Sequence, residues 1–271
     1  MSRLSKVLIG IGLAVVCFVQ LLPFYVALTT SLKPKTDLSS QLALPGEIFF
    51  GNFASALDDG NILRAIVNSI IVTAVSTFFV CVLGALAAYP LARRGTWVNK
   101  VIMLVILSMI MVPPLSILVP LYTMLSKMGG VNTYWGIILV MIATHLSLSV
   151  FLYAAFLRTI PSSLEEAAKL DGANLLQTLF YIVFPLLKPV TATVIILTGI
   201  ATWNEYALSS FILTKPDVQT IAPAIASFFS LQSSNLGAAA AAALLALAPV
   251  LIAYLFLQQY FMKGMVAGAE K

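Results

Sequence analysis

Glu165, Glu166, Lys169 and Asp171 fall within seven residues, the densest run of ionisable side chains in the chain. Few other residues could do chemistry. The single histidine, His145, has no acidic neighbour in sequence, so no nucleophile–base–acid triad forms around it. Cys17 and Cys81, even with that histidine, make neither a disulfide framework nor a credible metal site. Both lie in long apolar runs and read as buried thiols acting as small hydrophobes. A phosphate-cradling loop needs Gly-x-x-x-x-Gly-Lys-Ser/Thr, and no Gly-Lys dipeptide occurs. No phosphate cradle of that kind is therefore expected in this chain. Glu205 is the sole acid inside a long apolar stretch, flanked by Trp203, Asn204 and Tyr206. An ionisable group in hydrocarbon is costly and usually faces a cavity or a partner. Two readings of Glu205 fit: contact with a polar solute, or a structural role near the interface holding helix ends together.

The elements that position these residues follow from composition. Of 271 residues, 61% are hydrophobic and 9% charged, against about 25% charged in soluble domains. That excludes an ordinary aqueous domain, a disordered chain and a collagen-like one. Six stretches reach the roughly 20 apolar residues that a spanning helix needs: 7–28, 66–91, 101–121, 135–157, 190–213 and 237–261. No run of short alternating segments suggests barrel strands. The first stretch has 22 residues and is followed by Lys33-Pro34-Lys35. A signal h-region has about 7–15 residues before a small-residue cleavage site, so the stretch reads as a retained anchor.

Six spans put both termini on one side. That side carries ten of the fifteen Lys and Arg residues, which assigns it to the cytoplasm. The net charge of +5 is thus a topology signal, with no nucleic-acid partner implied. Outer loops are expected at 29–65 and 214–236, and inner loops at 92–100 and 158–189. The alanine run 238–243 reads as a close-packing face. Pro113, Pro114 and Pro120 are expected to break the third span, as a packing kink or a gate. Asn68 and Ser69 read as interhelical hydrogen-bonders or path-lining groups, and His145 as a packed histidine or a ligand. Trp97, Tyr122, Tyr134 and Trp135 fall at span ends, where an interfacial belt is expected.

The inner loop 161–189 is too charged to span and reads as two short helices. Ser162 with Glu165, or Ser163 with Glu166, fits a capping box. Asp171-Gly172 should end the first helix, with Gly172 in the left-handed cap position. Asn174 with Gln177 resembles a second cap, and the next helix should run to Phe184, where Pro185 interrupts it. Such a unit is either a lever projecting from the membrane or an ordinary interfacial hairpin.

This loop resembles the EAA loop of ABC-importer permeases: Glu-Ala-Ala, three residues, Gly, nine residues, Ile, one residue, Leu-Pro. Glu166-Ala167-Ala168, Gly172, Ile182 and Phe184-Pro185 match it, with Phe184 the one departure. Asp171-Gly172-Ala173 is similar to the form found in carbohydrate importers. Trp203-Asn204-Glu205, the opening around Leu22-Pro23-Phe24-Tyr25 and Ser31-Leu32-Lys33-Pro34, and the tail at Lys263–Lys271 resemble the maltose-type second permease. The tail departs from that group at Glu270.

The resemblance implies an all-α, six-span permease in a bacterial cytoplasmic membrane, surrounded by lipid. It implies a second permease, two ATPase subunits holding ATP and Mg, and an extracytoplasmic solute-binding protein that delivers a sugar. Glu165, Glu166, Ala167, Ala168, Asp171, Gly172, Ala173, Ile182 and Pro185 would couple to the ATPase, with Glu166 facing a basic residue there. Trp203, Asn204, Glu205, Tyr206, Asn68 and His145 would mark the solute path, Trp203 offering a face to a sugar ring. Met265 and Gly268 would lie in a tail reaching between the ATPases. Expected divisions are an anchor and outer loop at 1–61, a transmembrane domain at 62–262 and a tail at 263–271. Two rivals are a permease of the same superfamily for another solute, such as a polyol or glycerol phosphate, and a carrier acting alone. Within the first, a glycerol-phosphate or phosphate path would present Arg or Lys to the anion; no basic residue lies within the spans, which leaves the partner permease as the source of one. The second would show several buried acids and inverted repeats, and neither is visible. A scaffold without transport would leave the EAA match unexplained.

Overall fold

The computed structural model describes residues 3–58, 60–230 and 233–269; the side chains of residues 3, 4, 230, 233, 234 and 257–269 lie outside that description. Apart from one two-residue antiparallel ladder, Phe229 opposite Ser234 and Ser230 opposite Ser233, the regular structure among the described residues is helical. The helices are α1 (Arg3–Ser31), α2 (Gly51–Asp58), α3 (Ile62–Arg93), α4 (Trp97–Ile110), α5 (Leu118–Lys127), α6 (Tyr134–Leu157) and α7 (Ser163–Leu170). They continue as α8 (Leu175–Gln177), α9 (Phe184–Leu186), α10 (Lys188–Trp203), α11 (Ala207–Ile212), α12 (Ile221–Ala226) and α13 (Leu236–Ala269).

Among the described residues, four helices are long and apolar enough to cross a membrane: α1, α3, α6 and α13. The number rises to six when two bent pairs each count as one span. The third expected span is one of these: α4 and the segment Pro114–Lys127 meet at 95°. Pro113 and Pro114 cause the break, since Pro114 opens a 3₁₀ turn at Pro114–Ile117. Pro120, also expected to break the span, sits in the first turn of α5 instead. There the missing N–H is one the helix leaves unbonded anyway. The fifth expected span ends early. α10 stops at Trp203, and the chain restarts as α11 after a break at Asn204–Tyr206.

The chain divides into two compact units, Met1–Arg64 with Pro223–Pro249, and Ala65–Ala222 with Val250–Lys271. In the first, α1 is apolar throughout, yet none of its hydrophobic window is buried inside the protein. So apolar an outer surface suits hydrocarbon, not water. Cys17 is accordingly exposed, not buried as its setting suggested. In a helix solvated by hydrocarbon, an apolar run need not face a protein core. At the end of α1 the polar groups are gathered in. Lys33 is buried and its ammonium donates to Ser39 Oγ at 2.7 Å and the Ser40 carbonyl at 2.6 Å. Asn52 of α2 donates to the carbonyls of Ser31 and Lys33, at 2.9 and 2.7 Å. A β-carbon on Gly237 would lie 2.5 Å from that pinned amide, so α13 starts with a residue that has none. Ala238, Ala239, Ala241 and Ala242 are fully buried, as a close-packing face requires.

The second unit has two apolar centres. One gathers Val80, Ala85 and Ala88 of α3, Met103 of α4, Val150, Tyr153 and Leu157 of α6, and Val190 and Val194 of α10. The other gathers Val72, Leu125, Ile137, Met141, Leu208 and Ile212 from α3, α5, α6 and α11. Ser149 Oγ donates to the Val80 carbonyl at 3.1 Å, fastening α6 to α3 between them.

Candidate functional site

Residues 161–187 form the helix–turn–helix anticipated from their spacing. Pro161 ends the preceding segment, and the amides of Glu165 and Glu166 donate to the Ser162 carbonyl at 2.9 and 3.0 Å to start α7. The expected capping box does not form, because the Ser162 side chain makes no cap bond. Its acidic partner is engaged elsewhere. Glu165 is buried, whereas Glu166, Ala167, Lys169 and Leu170 are exposed. α7 therefore has an inward face of Glu165 and Ala168 and an outward face around Glu166.

The exit from α7 is tightly specified. Gly172 has φ +86°, the left-handed conformation that L side chains resist. The Ala173 amide donates to the Ala168 carbonyl at 2.9 Å, and the Gly172 amide to the Lys169 carbonyl at 3.1 Å. This paired pattern closes a helix end. Asn174 and Gln177 then form the anticipated reciprocal cap, at 2.8 and 2.9 Å. The following helix differs from expectation. It passes through a π-helical turn at Thr178–Val183, continues past Pro185 to Leu186, and bends by 71° at Leu187 into α10. The Phe184 amide bonds back to the Leu179 carbonyl, five residues earlier. The wide turn accommodates the proline ring that would clash in a tighter one. Phe184 also stacks on Phe180 at 5.2 Å. Ile182 is half-buried and Pro185 exposed.

Glu165 is held by the last turn of α3. Arg93 Nε donates to its Oε1 at 2.7 Å, and Arg93 Nη2 lies 2.7 Å from the same oxygen. The Tyr89 hydroxyl donates to Oε2 at 2.8 Å. Arg93 Nη1 donates to the Ile160 carbonyl at 3.0 Å. Sequence reasoning missed Arg93 and Tyr89. The only trace was their four-residue spacing at a span end, which places both on one helix face. Nothing in the chain's order links them to residue 165. A cavity of about 350 Å³ lies nearby, lined by Leu91, Ala92, Gly95 and Asn99 with the cations Arg94, Lys100 and Arg158.

The residues expected along a solute path are spread over several local networks. Glu205 caps α11: its Oε1 accepts from the Leu208 amide and its Oε2 from the Ser209 amide, both at 2.7 Å. Trp203 is buried, Tyr206 is exposed, and Asn204 donates to the Ile200 carbonyl at 2.9 Å. Asn68 is buried, donates to the carbonyls of Asp217 and Gln219, and accepts from the Tyr134 hydroxyl at 2.7 Å. Ser69 Oγ accepts from the Ile221 amide at 2.8 Å. His145 Nδ1 lies 2.8 Å from the Met141 carbonyl of its own helix. Among the described residues, no hydrogen bond joins the 203–206 group to Asn68 or His145. The backbone at Met265 and Gly268 continues α13, and their side chains lie outside the described residues.

The family model described as the binding-protein-dependent transport system inner membrane component matches residues 80–266. The chain is 44% identical to the melibiose/raffinose/stachyose import permease protein MelC of Bacillus subtilis, over 95% of this chain and 94% of that one. It is 31% identical to the trehalose transport system permease protein SugB of Mycobacterium tuberculosis, over 93% and 92%. Its fold resembles that of a chain in the crystal structure of a bacterial ABC transporter involved in the import of the acidic polysaccharide alginate. The TM-score is 0.81 at 22% identity, covering 96% of this chain and 99% of that one.

Proposed function

The chain belongs to the inner-membrane components of binding-protein-dependent transport systems, and from that premise we propose that it is one of two permeases of an ATP-driven sugar importer. The relatives' names, melibiose, raffinose and stachyose foremost, support an oligosaccharide as cargo. Both termini and the 161–187 unit lie on the cytoplasmic side, on the argument from the Lys and Arg distribution. Two ATPase subunits hold ATP and Mg; this chain holds neither. The outer segments at 29–65 and 214–236 receive the loaded binding protein. Residues 1–61 act as an anchor and outer loop, 62–262 as the translocating domain and 263–271 as a tail.

The observation that carries the coupling role is the outward face of α7. It presents Glu166 and Ala167 beside a sharp glycine turn, on a short helix tied at both ends to apolar helices. Docked in a cleft of the ATPase, with Glu166 against a basic residue, α7 transmits closure of the ATPase pair to α6 and α10 and switches the access of the path. Glu205 positions α11 beside that path through the two amides it holds.

Co-purification tests this. Co-expressed with the second permease and the ATPase, the chain is expected in one complex whose ATP hydrolysis rises with one sugar-loaded binding protein. Glu166→Lys should leave that complex intact and abolish the rise. Purification of the chain alone, with solute flux in vesicles lacking ATP, would overturn the proposal.

A further inference from the structure

We propose that Arg93, supported by Tyr89, is a positioning residue that straps α7 to α3, so that movement of α7 pulls the second span together with α6 and α10. This rests on the coupling reading of α7 above.

Few buried side chains hold α7. It has eight residues, and only Glu165 and Ala168 are buried. One alanine methyl is a small apolar anchor, so beyond the packing of α7 against the turn at Thr178–Val183 the hold is ionic. Both oxygens of Glu165 are used, Oε1 by the Arg93 guanidinium and Oε2 by the Tyr89 hydroxyl. The same guanidinium reaches the Ile160 carbonyl, just before α7 begins. Three segments thus converge on one planar group: the end of α3, the exit from α6, and α7. The side chains of Arg93 and Glu165 are only 16% and 7% exposed, so water is a poor substitute for either partner.

The strap reaches an element that chain connectivity does not. α7 is joined covalently to α6 and, through the bend at Leu187, to α10. Residues 93 and 165 lie 72 positions apart. Above the strap, α3 shares an apolar centre with α6 and α10, so a pull on Arg93 meets a packed body. A guanidinium holds direction as well as distance because its donors are fixed in one plane, which an ammonium cannot match.

The test uses the whole importer, with this chain, its second permease and the ATPase reconstituted in liposomes. Arg93→Lys should assemble normally and keep basal ATP hydrolysis, and Glu165→Gln is measured beside it once its assembly has been checked. Their solute-stimulated rate should fall about tenfold, the scale of a lost coupling interaction. The concentration of loaded binding protein giving half-stimulation should stay unchanged, because the outer surface is untouched. The exchange Arg93→Glu with Glu165→Arg should restore most of the stimulation. Tyr89→Phe removes one hydroxyl and no charge, so it guards against misfolding; it should lower stimulation by a smaller factor. Full stimulation in Arg93→Lys, Glu165→Gln and Tyr89→Phe would overturn the strap, as would an assembled exchange variant that stays unstimulated. Glu166→Lys separates the two readings. If it abolishes stimulation while the strap variants do not, only the strap fails. If it too leaves stimulation intact, the coupling role of α7 fails first.

Discussion

Glu165 and Glu166 are neighbours with opposite environments, and the difference follows from helix geometry. Successive residues on a helix point about 100° apart, so one carboxylate turns toward Arg93 while the other faces out. Gly172 is specified by backbone alone. Its φ of +86° would cost an L residue roughly 1–2 kcal/mol, although nothing crowds the site. Gly172→Ala should therefore lower the thermal midpoint of the purified complex slightly and weaken solute-stimulated ATP hydrolysis, through a displaced turn and not a clash. Glu205 gives a third case. Both its oxygens accept backbone amides, and a glutamine offers one acceptor in place of two. Glu205→Gln should destabilise the protein by about 1–3 kcal/mol, read as an earlier thermal transition in detergent. If it changed sugar selectivity with the transition unmoved, Glu205 would be a solute contact and not a cap.

Among the elements, the breaks matter as much as the helices. α4 and the segment after it bend by 95° at consecutive prolines. The helix through Pro185 survives by widening into a π turn. α10 yields to α11 at Asn204–Tyr206 because Glu205 satisfies the amides that the restart exposes. Irregular backbone of this kind persists at membrane depth only when its polar groups are satisfied internally. Close approach is the other device. At the start of α13, Gly237 meets an Asn52 amide that two carbonyls hold in place. Gly237→Ala cannot push that amide aside cheaply and should cost about 1–3 kcal/mol of stability, as overpacking does. An unchanged thermal transition would mean that the first unit is more yielding than its hydrogen bonds imply.

The whole molecule belongs to a family of membrane transport components, and its surface is consistent with a part of something larger. Large apolar side chains cover α1 from end to end, a surface that hydrocarbon or a partner chain must cover. The outward face of α7 is free for a partner's cleft. With ATP turnover proposed to lie in a partner subunit, sealed vesicles holding the complex without ATP should show no uphill sugar uptake. Adding ATP on the side where the ATPase sits should start it. Uphill uptake driven by an ion gradient alone would move the chain to another transport class.

Composition and run length determined the membrane setting and the helical class, spacing determined much of the 161–187 unit, and the motif residues within that unit carried the resemblance to the family. The reason is that these signals are local. Apolar run length decides what can span. A left-handed turn demands glycine at Gly172, and the Asn174–Gln177 cap closes over three residues. The tertiary structure alone decided the remainder. It turned Glu165 away from its expected cap because a guanidinium 72 positions away offered a stronger, better-shielded partner. It engaged Asn68 with Tyr134 and with the carbonyls of Asp217 and Gln219. Each of these outcomes depends on which distant group arrives within hydrogen-bonding distance, and no periodicity in the chain encodes that arrival.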